Sequence, residues 1–167
     1  MRKYVFIALV LVSLNVLADI PQIQLCFTPG QNCTELIVET IDSAKKSILV
    51  QAYSFTSAPI AKALVDAHKR GIDVKVILDK SQRKERYTSA TMLKNYHIPV
   101  WIDYKPAIAH NKIMIIDGET VITGSFNFTK AAQFRNAENL LVIKDRDIAK
   151  RYAENWMRRV KVSEKLD

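Results

Sequence analysis

Two short apolar segments separated by a helical pattern most strongly constrain how this chain can fold. Residues 47–53 and 74–78 are mostly apolar and β-branched, as expected for strands covered on both sides of a sheet. Between them, Ser57-Ala58-Pro59 begins a helix with apolar residues at helical spacing, and Gly71 ends it. Because strands and helices alternate in this way almost throughout, the sequence predicts an α/β fold, with a mixed β-sheet flanked by helices on both faces.

The remaining segments continue this alternation, and no repeat, low-complexity stretch or linker divides them, which predicts a single domain. A strand at residues 20–27 puts Ile23, Leu25 and Phe27 on one side, and Asn32 or Thr34 caps the following helix. The other predicted elements are helices at 89–96 and 145–160, strands at 100–102, 113–116, 121–123 and 139–143, and a helical turn at 129–134.

The first residues have the pattern of an export signal. Arg2 and Lys3 precede an almost wholly apolar run that is short for a transmembrane helix, and Val16-Leu17-Ala18 offers small residues for cleavage. We therefore expect residues 1–18 to be a signal peptide and residues 19–167 to be a periplasmic or secreted domain. An uncleaved membrane anchor is the alternative.

The charge of the chain favours an anionic partner. The formal net charge is +8, and removal of Arg2 and Lys3 lowers it only by two. An excess of this size suggests nucleic acid or an acidic membrane surface, although a merely soluble basic protein is also compatible with it. Hydrophobic residues at 49% and charged residues at 25% argue against a disordered chain.

Cys26 and Cys33 are the two cysteines of the chain, and Pro29-Gly30 lies between them. In an exported protein such a pair can close a small disulfide loop, which we favour over two separate buried thiols. Metal binding by this pair is disfavoured, because no further Cys and no cluster of His stands nearby.

The predicted hairpin formed by the strands at 113–116 and 121–123 carries the candidate chemistry. His110 and Lys112 are two residues apart, so both side chains leave the same face of an extended backbone. The chain then turns and returns to Ser125 and Asn127, which brings an imidazole, an ammonium, a hydroxyl and an amide to one end. This set suits a phosphoryl group, because it combines a nucleophile with a cation and neutral donors. The alternative, a polar hairpin end whose side chains satisfy one another, requires a coincidence of several residue types.

The spacing of these residues resembles the signature of the phospholipase D superfamily, and in particular its small bacterial endonucleases with one copy of the motif. The resemblance covers most of the chain after residue 18, including residues 52–56 and the helix at 60–64. The matching motif positions are His110-x-Lys112-x4-Asp117-Gly118, Gly124-Ser125-x-Asn127 and Asn136-x-Glu138. The resemblance implies a phospholipase D-like α-β-α sandwich.

The resemblance also implies roles for the motif residues. His110 would attack the phosphodiester and form a phosphohistidine that water then releases. Lys112 and Asn127 would hold the phosphate oxygens with help from Ser125, and Glu138 would accept a hydrogen bond from His110. Asp117, the remaining motif residue, is assigned to structure or orientation rather than to proton transfer.

The reaction needs a second acid, which predicts a homodimer. In-line displacement requires a nucleophile on one side of the phosphorus and a proton donor on the other, and His110 cannot be both in one step. His68 and His97 have no neighbouring lysine at motif spacing, and we expect them to be surface or packing residues. The second imidazole would therefore come from His110 of another copy across a twofold axis.

No cofactor and no metal are expected. The sequence has no carboxylate cluster and no His/Cys set with ligand spacing. Lys112 supplies the positive charge that a cation would otherwise provide, and the reaction is expected to survive EDTA.

The predicted substrate is nucleic acid, which a secreted endonuclease would cut with little sequence preference. The runner-up is a lipid phosphodiesterase at a membrane, which gains weight if the N-terminal segment stays uncleaved; no second apolar segment suited to acyl chains is evident. A non-catalytic nucleic-acid-binding protein is a third possibility, which the intact motif disfavours. The basic residues expected to flank the site are Lys80, Arg83, Lys84, Arg86, Lys130 and Arg135.

Overall fold

The computed structural model describes residues 20–83 and 88–166, and the predicted signal segment lies outside the described residues. Three apolar strands form the parallel part of the sheet: β2 (Ser47–Ala52), β3 (Asp73–Asp79) and β4 (Val100–Asp103). Helices α2 (Ala58–Lys69) and α3 (Ser89–Asn95) connect them. Parallel neighbours require such crossovers, because a tight turn cannot return the chain to the same end of the sheet.

The other strands are antiparallel and complete one eight-stranded sheet. They are β1 (Gln22–Thr28), β5 (Lys112–Ile116), β6 (Thr120–Gly124), β7 (Glu138–Lys144) and the two-residue β8 (Glu164–Lys165). The order across the sheet is β1-β7-β6-β5-β2-β3-β4-β8. β8 was not predicted from the sequence, because two charged residues carry no strand pattern.

Helices cover both faces of the sheet, which confirms the predicted fold class. α1 (Cys33–Asp42), α2 and α3 pack with one set of strand side chains, and α4 (Lys130–Phe134) adds Ala132 to the same core. α5 (Arg146–Val160) packs on the opposite face, where Trp156 is buried and donates through Nε1 to the backbone oxygen of Val50 at 2.9 Å. The alternate side chains of the central strands therefore face two separate cores.

The apolar side of β1 is the exposed side. The alternation predicted a strand with Ile23, Leu25 and Phe27 on one face, and these three side chains point to solvent, while Cys26 and Thr28 are buried. A period of two identifies the faces of a strand but not which face a helix covers. The first strand therefore presents an uncovered apolar stripe.

A disulfide joins the end of β1 to the beginning of α1. Cys26 and Cys33 are bonded, as favoured from the sequence. Asn32 is the N-cap of α1, and its side-chain oxygen accepts a hydrogen bond from the backbone N–H of Glu35 at 3.2 Å. Within residues 20–83 and 88–166, no helix has both the length and the apolar character needed to cross a membrane.

Candidate active site

The predicted hairpin residues lie where strand ends meet at one edge of the sheet. The carboxyl ends of β1, β2, β3, β4 and β6 and the amino ends of β5 and β7 share this edge. Lys112 is paired with Ala52 across β5 and β2, and Gly124 is paired with Leu140 across β6 and β7. We call this the site edge. The carboxyl ends of strands in open α/β sheets are where such folds bind ligands.

His110 and Lys112 form the centre of the site edge. His110 is exposed, whereas the Lys112 side chain is only 8% exposed. Lys112 Nζ lies 3.0 Å from His110 Nδ1 and donates to the His110 backbone oxygen at 2.8 Å. Tyr53 supports both groups: its ring centroid is 4.5 Å from that of His110 and 5.2 Å from Lys112 Nζ. An accessible imidazole thus stands directly beside a partly desolvated cation.

The pKa of Lys112 reflects its position. Burial lowers the pKa of the ammonium from its ordinary value, because the charged form loses solvation, and the negative charge of Glu138 opposes that shift. Glu138 therefore helps to keep Lys112 charged. A phosphate oxygen approaching Lys112 would meet a positive charge that water screens poorly.

Glu138 has a different partner from the one predicted. The resemblance predicted that Glu138 accepts a hydrogen bond from His110. Within the described residues, the Glu138 carboxylate instead accepts from Ser125 Oγ at 2.5 Å and from Asn136 Nδ2 at 2.9 Å. Ser125 Oγ also accepts from the backbone N–H of Asn139 at 3.0 Å. The carboxylate is turned toward the β6–β7 connection, so Lys112 rather than Glu138 faces His110 Nδ1.

Asn127 lies on a rigid segment between two buried aromatic residues. Phe126 and Phe128 are fully buried, so both pack in the core. The Asn127 Oδ1 atom is buried and has no hydrogen-bond partner among residues 20–83 and 88–166. The close approach of Gly124 to β7 fixes the start of this segment: its φ is +145°, and a Cβ there would lie 2.2 Å from the Asn139 oxygen. Most buried polar groups in proteins have a hydrogen-bond partner, so this amide oxygen and that of Gln51 are exceptions at the site edge.

Asp117 is not part of the site edge. It follows β5 at the end opposite to Lys112, and the five residues of that strand separate the two by roughly 16 Å. Its carboxylate accepts the backbone N–H groups of Lys45, Lys46 and Ser47 at 2.7–3.0 Å. Burial alone would raise the pKa of Asp117, but these hydrogen bonds outweigh burial and lower it. These contacts give the motif aspartate a structural role at the end of β5 opposite to His110, as its assignment to structure or orientation anticipated.

Sequence reasoning missed two buried polar groups that hold the loop carrying His110. Asp79, at the end of β3, is 2% exposed and accepts from the backbone N–H of Ala109 at 2.7 Å. Gln51, in β2, is also buried and donates to Asn111 Oδ1 at 3.0 Å. Each contact fixes a residue adjacent to His110. The position of Asp79 directly after a predicted buried strand is the feature of the sequence that could have identified it.

The basic residues around the site differ in their freedom to contact a substrate. Lys80 Nζ donates to the Pro106 oxygen at 3.1 Å, and Arg83 donates to the Tyr104 hydroxyl at 2.8 Å. Lys130 and Arg135, on and just after α4, are exposed. Lys84 and Arg86, the other two candidates, lie outside the described residues.

The remaining histidines are remote from the site edge. His68 lies near the carboxyl end of α2, and His97 is exposed three residues before β4 begins, so both are near the opposite edge of the sheet. In the ranges 20–83 and 88–166, no group of three His, Cys, Asp or Glu side chains is arranged to hold a metal ion. Among the described residues, His110 is therefore the histidine of the site edge, with the Lys112 ammonium directly beside it.

An exposed imidazole beside a largely buried lysine, at the strand ends of a mixed α/β sheet, is an arrangement suited to a phosphoryl group. The family model described as "Cardiolipin synthase, PLD-like domain" matches residues 37–160. The chain belongs to this family of the phospholipase D superfamily and is a phosphodiester hydrolase.

Relatives and solved structures agree with this assignment. A protein named phospholipase D from Rickettsia felis is 47% identical over 138 residues, which span 83% of this chain and 69% of that protein. Mitochondrial cardiolipin hydrolase of Xenopus tropicalis is 31% identical over 69% of this chain and 55% of its own length. The crystal structure of Nuc, a phospholipase D family member from Salmonella typhimurium, superposes with a TM-score of 0.83 at 42% identity, covering 87% of this chain and 98% of that one. NucT from Helicobacter pylori gives 0.81 at 25% identity, covering 87% and 99%.

Proposed function

We propose that this chain is an exported endonuclease that hydrolyses nucleic-acid phosphodiesters through a phosphohistidine intermediate, without a metal ion, as a homodimer. The observation that carries the proposal is the pairing of exposed His110 with Lys112 at 3.0 Å. The net charge of +8 supports a polyanionic substrate. The exposed residues Lys130 and Arg135 add cations beyond the motif itself.

Attack on phosphorus requires an unprotonated ring nitrogen on His110. While Lys112 donates to Nδ1, a neutral ring carries its proton on Nε2. A bound phosphate draws the Lys112 ammonium onto its own oxygen, so that Nδ1 takes the proton and Nε2 keeps a lone pair. Substrate binding thereby produces the reactive form of the nucleophile.

Two displacements at phosphorus then complete hydrolysis. Nε2 of His110 forms a bond to phosphorus as the bond to the departing sugar oxygen breaks, and that oxygen takes a proton from His110 of the partner subunit. Water next attacks phosphorus, gives its proton to the neutral His110 of the partner subunit, and the phosphorus–nitrogen bond breaks. Lys112 stabilises the charge on the phosphoryl oxygens in both steps, and Asn127 and Ser125 assist it.

The dimer has a candidate surface on β1. Ile23, Leu25 and Phe27 form the uncovered apolar stripe, and the last residue of β1, Thr28, is paired with Glu138 at the site edge. The stripe is thus continuous with the site that needs a second copy. Leu25→Lys places a charge on this stripe without disturbing a core. We expect this variant to be folded and inactive, and to have the mass of a monomer by light scattering. A monomer that retains full activity would contradict the shared site.

The second candidate function is a lipid phosphodiesterase. The sequence offered no apolar segment for acyl chains, but Ile108 is 54% exposed and lies two residues from His110. An exposed isoleucine at that position is suited to an acyl chain as well as to the edge of a base. The chemistry at phosphorus would be the same for both substrates.

The deciding experiment compares substrates in the presence of EDTA. Purified protein is incubated with plasmid, single-stranded DNA, RNA and anionic liposomes, and wild type is compared with His110→Ala. We expect cleavage of nucleic acid by the wild type alone, falling steeply with salt because Lys and Arg contacts release counterions. Cleavage of DNA by His110→Ala, or hydrolysis of lipid alone, would overturn the proposal. Fractionation of the expressing cells tests export.

A further inference from the structure

Phe134 is an exposed aromatic residue that the catalytic motif does not explain. It ends α4 and is 70% exposed; among the large apolar side chains that the structure describes, only Ile20 is more exposed. Leaving such a side chain in water forgoes about 1.5–3 kcal/mol of burial free energy. A single exposed apolar residue is common on proteins, so its surroundings must decide whether it has a function.

Hollows flank Phe134 on two sides. One is a groove of about 600 Å³ whose apolar lining includes Val38, Pro59 and Phe134 itself. The other is a smaller hollow of about 340 Å³, formed by Phe134 with Lys130, Arg135 and Ala131. The ring thus borders open space on two sides, and one of these spaces carries two cations.

The short helix that carries Phe134 is held firmly. Gln133 Oε1 accepts from the Thr34 backbone N–H at 2.9 Å, and Gln133 Nε2 donates to the Gln31 oxygen at 2.8 Å. Thr28 Oγ1 donates to the Ala132 oxygen at 2.9 Å. α4 is therefore fastened to the segment that the disulfide closes. A rigid support is what an aromatic recognition residue requires.

The groove is connected to the site edge through the backbone. Thr56 and Ser57, which line the groove, both donate their N–H groups to the Phe128 oxygen, at 3.0 and 2.9 Å. Phe128 directly follows Asn127. Three residues before Thr56, Tyr53 packs on the His110 ring. The groove is consequently bonded to the segment that carries Asn127, and three residues, about 10 Å of extended chain, separate it from the ring that packs on His110.

We infer that Phe134, with Lys130 and Arg135, forms a subsite that stacks an unpaired base beside the scissile phosphate and favours single-stranded over duplex nucleic acid; this rests on the proposed nuclease function. The exposed ring takes the face of a base, and the two cations take the flanking phosphates. A duplex already stacks both faces of its bases, so it gains little from the ring. The apolar groove and the two cations together match a nucleotide better than they match an acyl chain.

Binding of fluorescein-labelled oligonucleotides to His110→Ala protein, in EDTA and measured by anisotropy, tests the subsite. Phe134→Ala should weaken binding of a single-stranded oligonucleotide by about 5- to 150-fold, the range for loss of one aromatic stacking partner, and change duplex binding by less than about twofold. Phe134→Trp should restore single-strand binding. Tyr96→Ala is the matched control, because Tyr96 is also an exposed aromatic beside a lysine (Lys69 Nζ at 4.7 Å) but lies near the opposite edge.

The outcomes separate this inference from the proposed function. If His110-dependent cleavage of nucleic acid is observed but Phe134→Ala binds single strands as tightly as its parent, the subsite is refuted and the nuclease function stands. Equal weakening of single-strand and duplex binding also refutes it. If the wild type cleaves no nucleic acid, the subsite and the proposed nuclease function are both refuted. If Phe134→Ala lowers binding to anionic liposomes and leaves oligonucleotide binding unchanged, the groove takes an acyl chain.

Discussion

Replacement of Asp79 by Asn should impair catalysis although Asp79 does not contact the substrate position. The carboxylate accepts from the backbone N–H groups of Ser81 at 2.9 Å and Ala109 at 2.7 Å, and Ala109 immediately precedes His110. Asn has the same shape but only one accepting oxygen, so its NH2 group must face one of these N–H donors. The loop before His110 then loses part of its fixed position.

The expected magnitudes follow from these two contacts. Loss of one hydrogen bond to a charged group, with a buried N–H left unsatisfied, should lower the free energy of unfolding by about 2–4 kcal/mol. A shift of the His110 loop by about 1 Å should reduce kcat by about 100-fold. KM should change much less, because Lys112 and Lys130 still attract the phosphates. Initial-rate kinetics on an oligonucleotide and urea unfolding measure both effects.

Asp117→Asn is the matched control. Asp117 also accepts backbone N–H groups, but at the opposite edge of the sheet, and its φ of +56° is one that Asn tolerates. This variant should lose comparable stability and keep kcat within about twofold of wild type. If Asp79→Asn retains wild-type kcat while folded, or if both variants lose kcat equally, the argument that Asp79 positions His110 is wrong.

The two carboxylates also give a pH dependence. Burial would raise the pKa of Asp79, but hydrogen bonds from Ser81 and Ala109 outweigh it, so the folded pKa lies below the ordinary value, as for Asp117. A lowered pKa stabilises the fold above the unfolded value of about 3.9, and this contribution is lost as pH falls through the folded value. Acid unfolding of either Asn variant should therefore depend less on pH below about 4.

Three further changes test other parts of the molecule. Lys112→Met should lower kcat about 100- to 1,000-fold with the fold intact by circular dichroism, because it removes the cation beside His110; near-normal kcat would contradict that role. Gly124→Ala should lower the free energy of unfolding by about 1–3 kcal/mol or more in urea, since its Cβ meets the Asn139 oxygen, and an unchanged value would show that β6 and β7 can separate. Reduction of the disulfide should cost about 2–3 kcal/mol for a loop of this length, whereas a Cys26→Ser/Cys33→Ser variant should be insensitive to reductant.

Periodic features of the sequence predicted most of the fold. The apolar segment that forms β2 and the helix that begins near Pro59 were both correctly located. Burial of a strand on two sides and the apolar spacing of a helix can each be recognised within a few neighbouring residues. The side of β1 that packs was not predictable. It is set by α1 and α4, which pack on the face of Cys26 and Thr28, and α4 is more than 100 residues away in the chain.

The site was predictable as a set of residue types but not as a set of contacts. His110 and Lys112 share a strand end, so their proximity follows from spacing alone. The partner of Glu138 depends on how β7 is registered against β6, which brings Ser125 rather than His110 to its carboxylate. No pattern in the sequence marked Phe134 as a candidate site residue, because its exposure depends on a groove formed by segments distant in sequence.

The site edge is assembled from strand ends that lie far apart in the chain, which sets the order in which the site can form. Gln51 contacts Asn111 beside His110, whereas Glu138 and Asn139 contact Ser125, and β6 lies between β5 and β7. A nascent chain that stops before Lys144 has no complete β7 and no fixed Gly124–Asn127 segment. Assembly of the hydrolytic site therefore waits until β7 has been synthesised, even if the earlier strands have already paired.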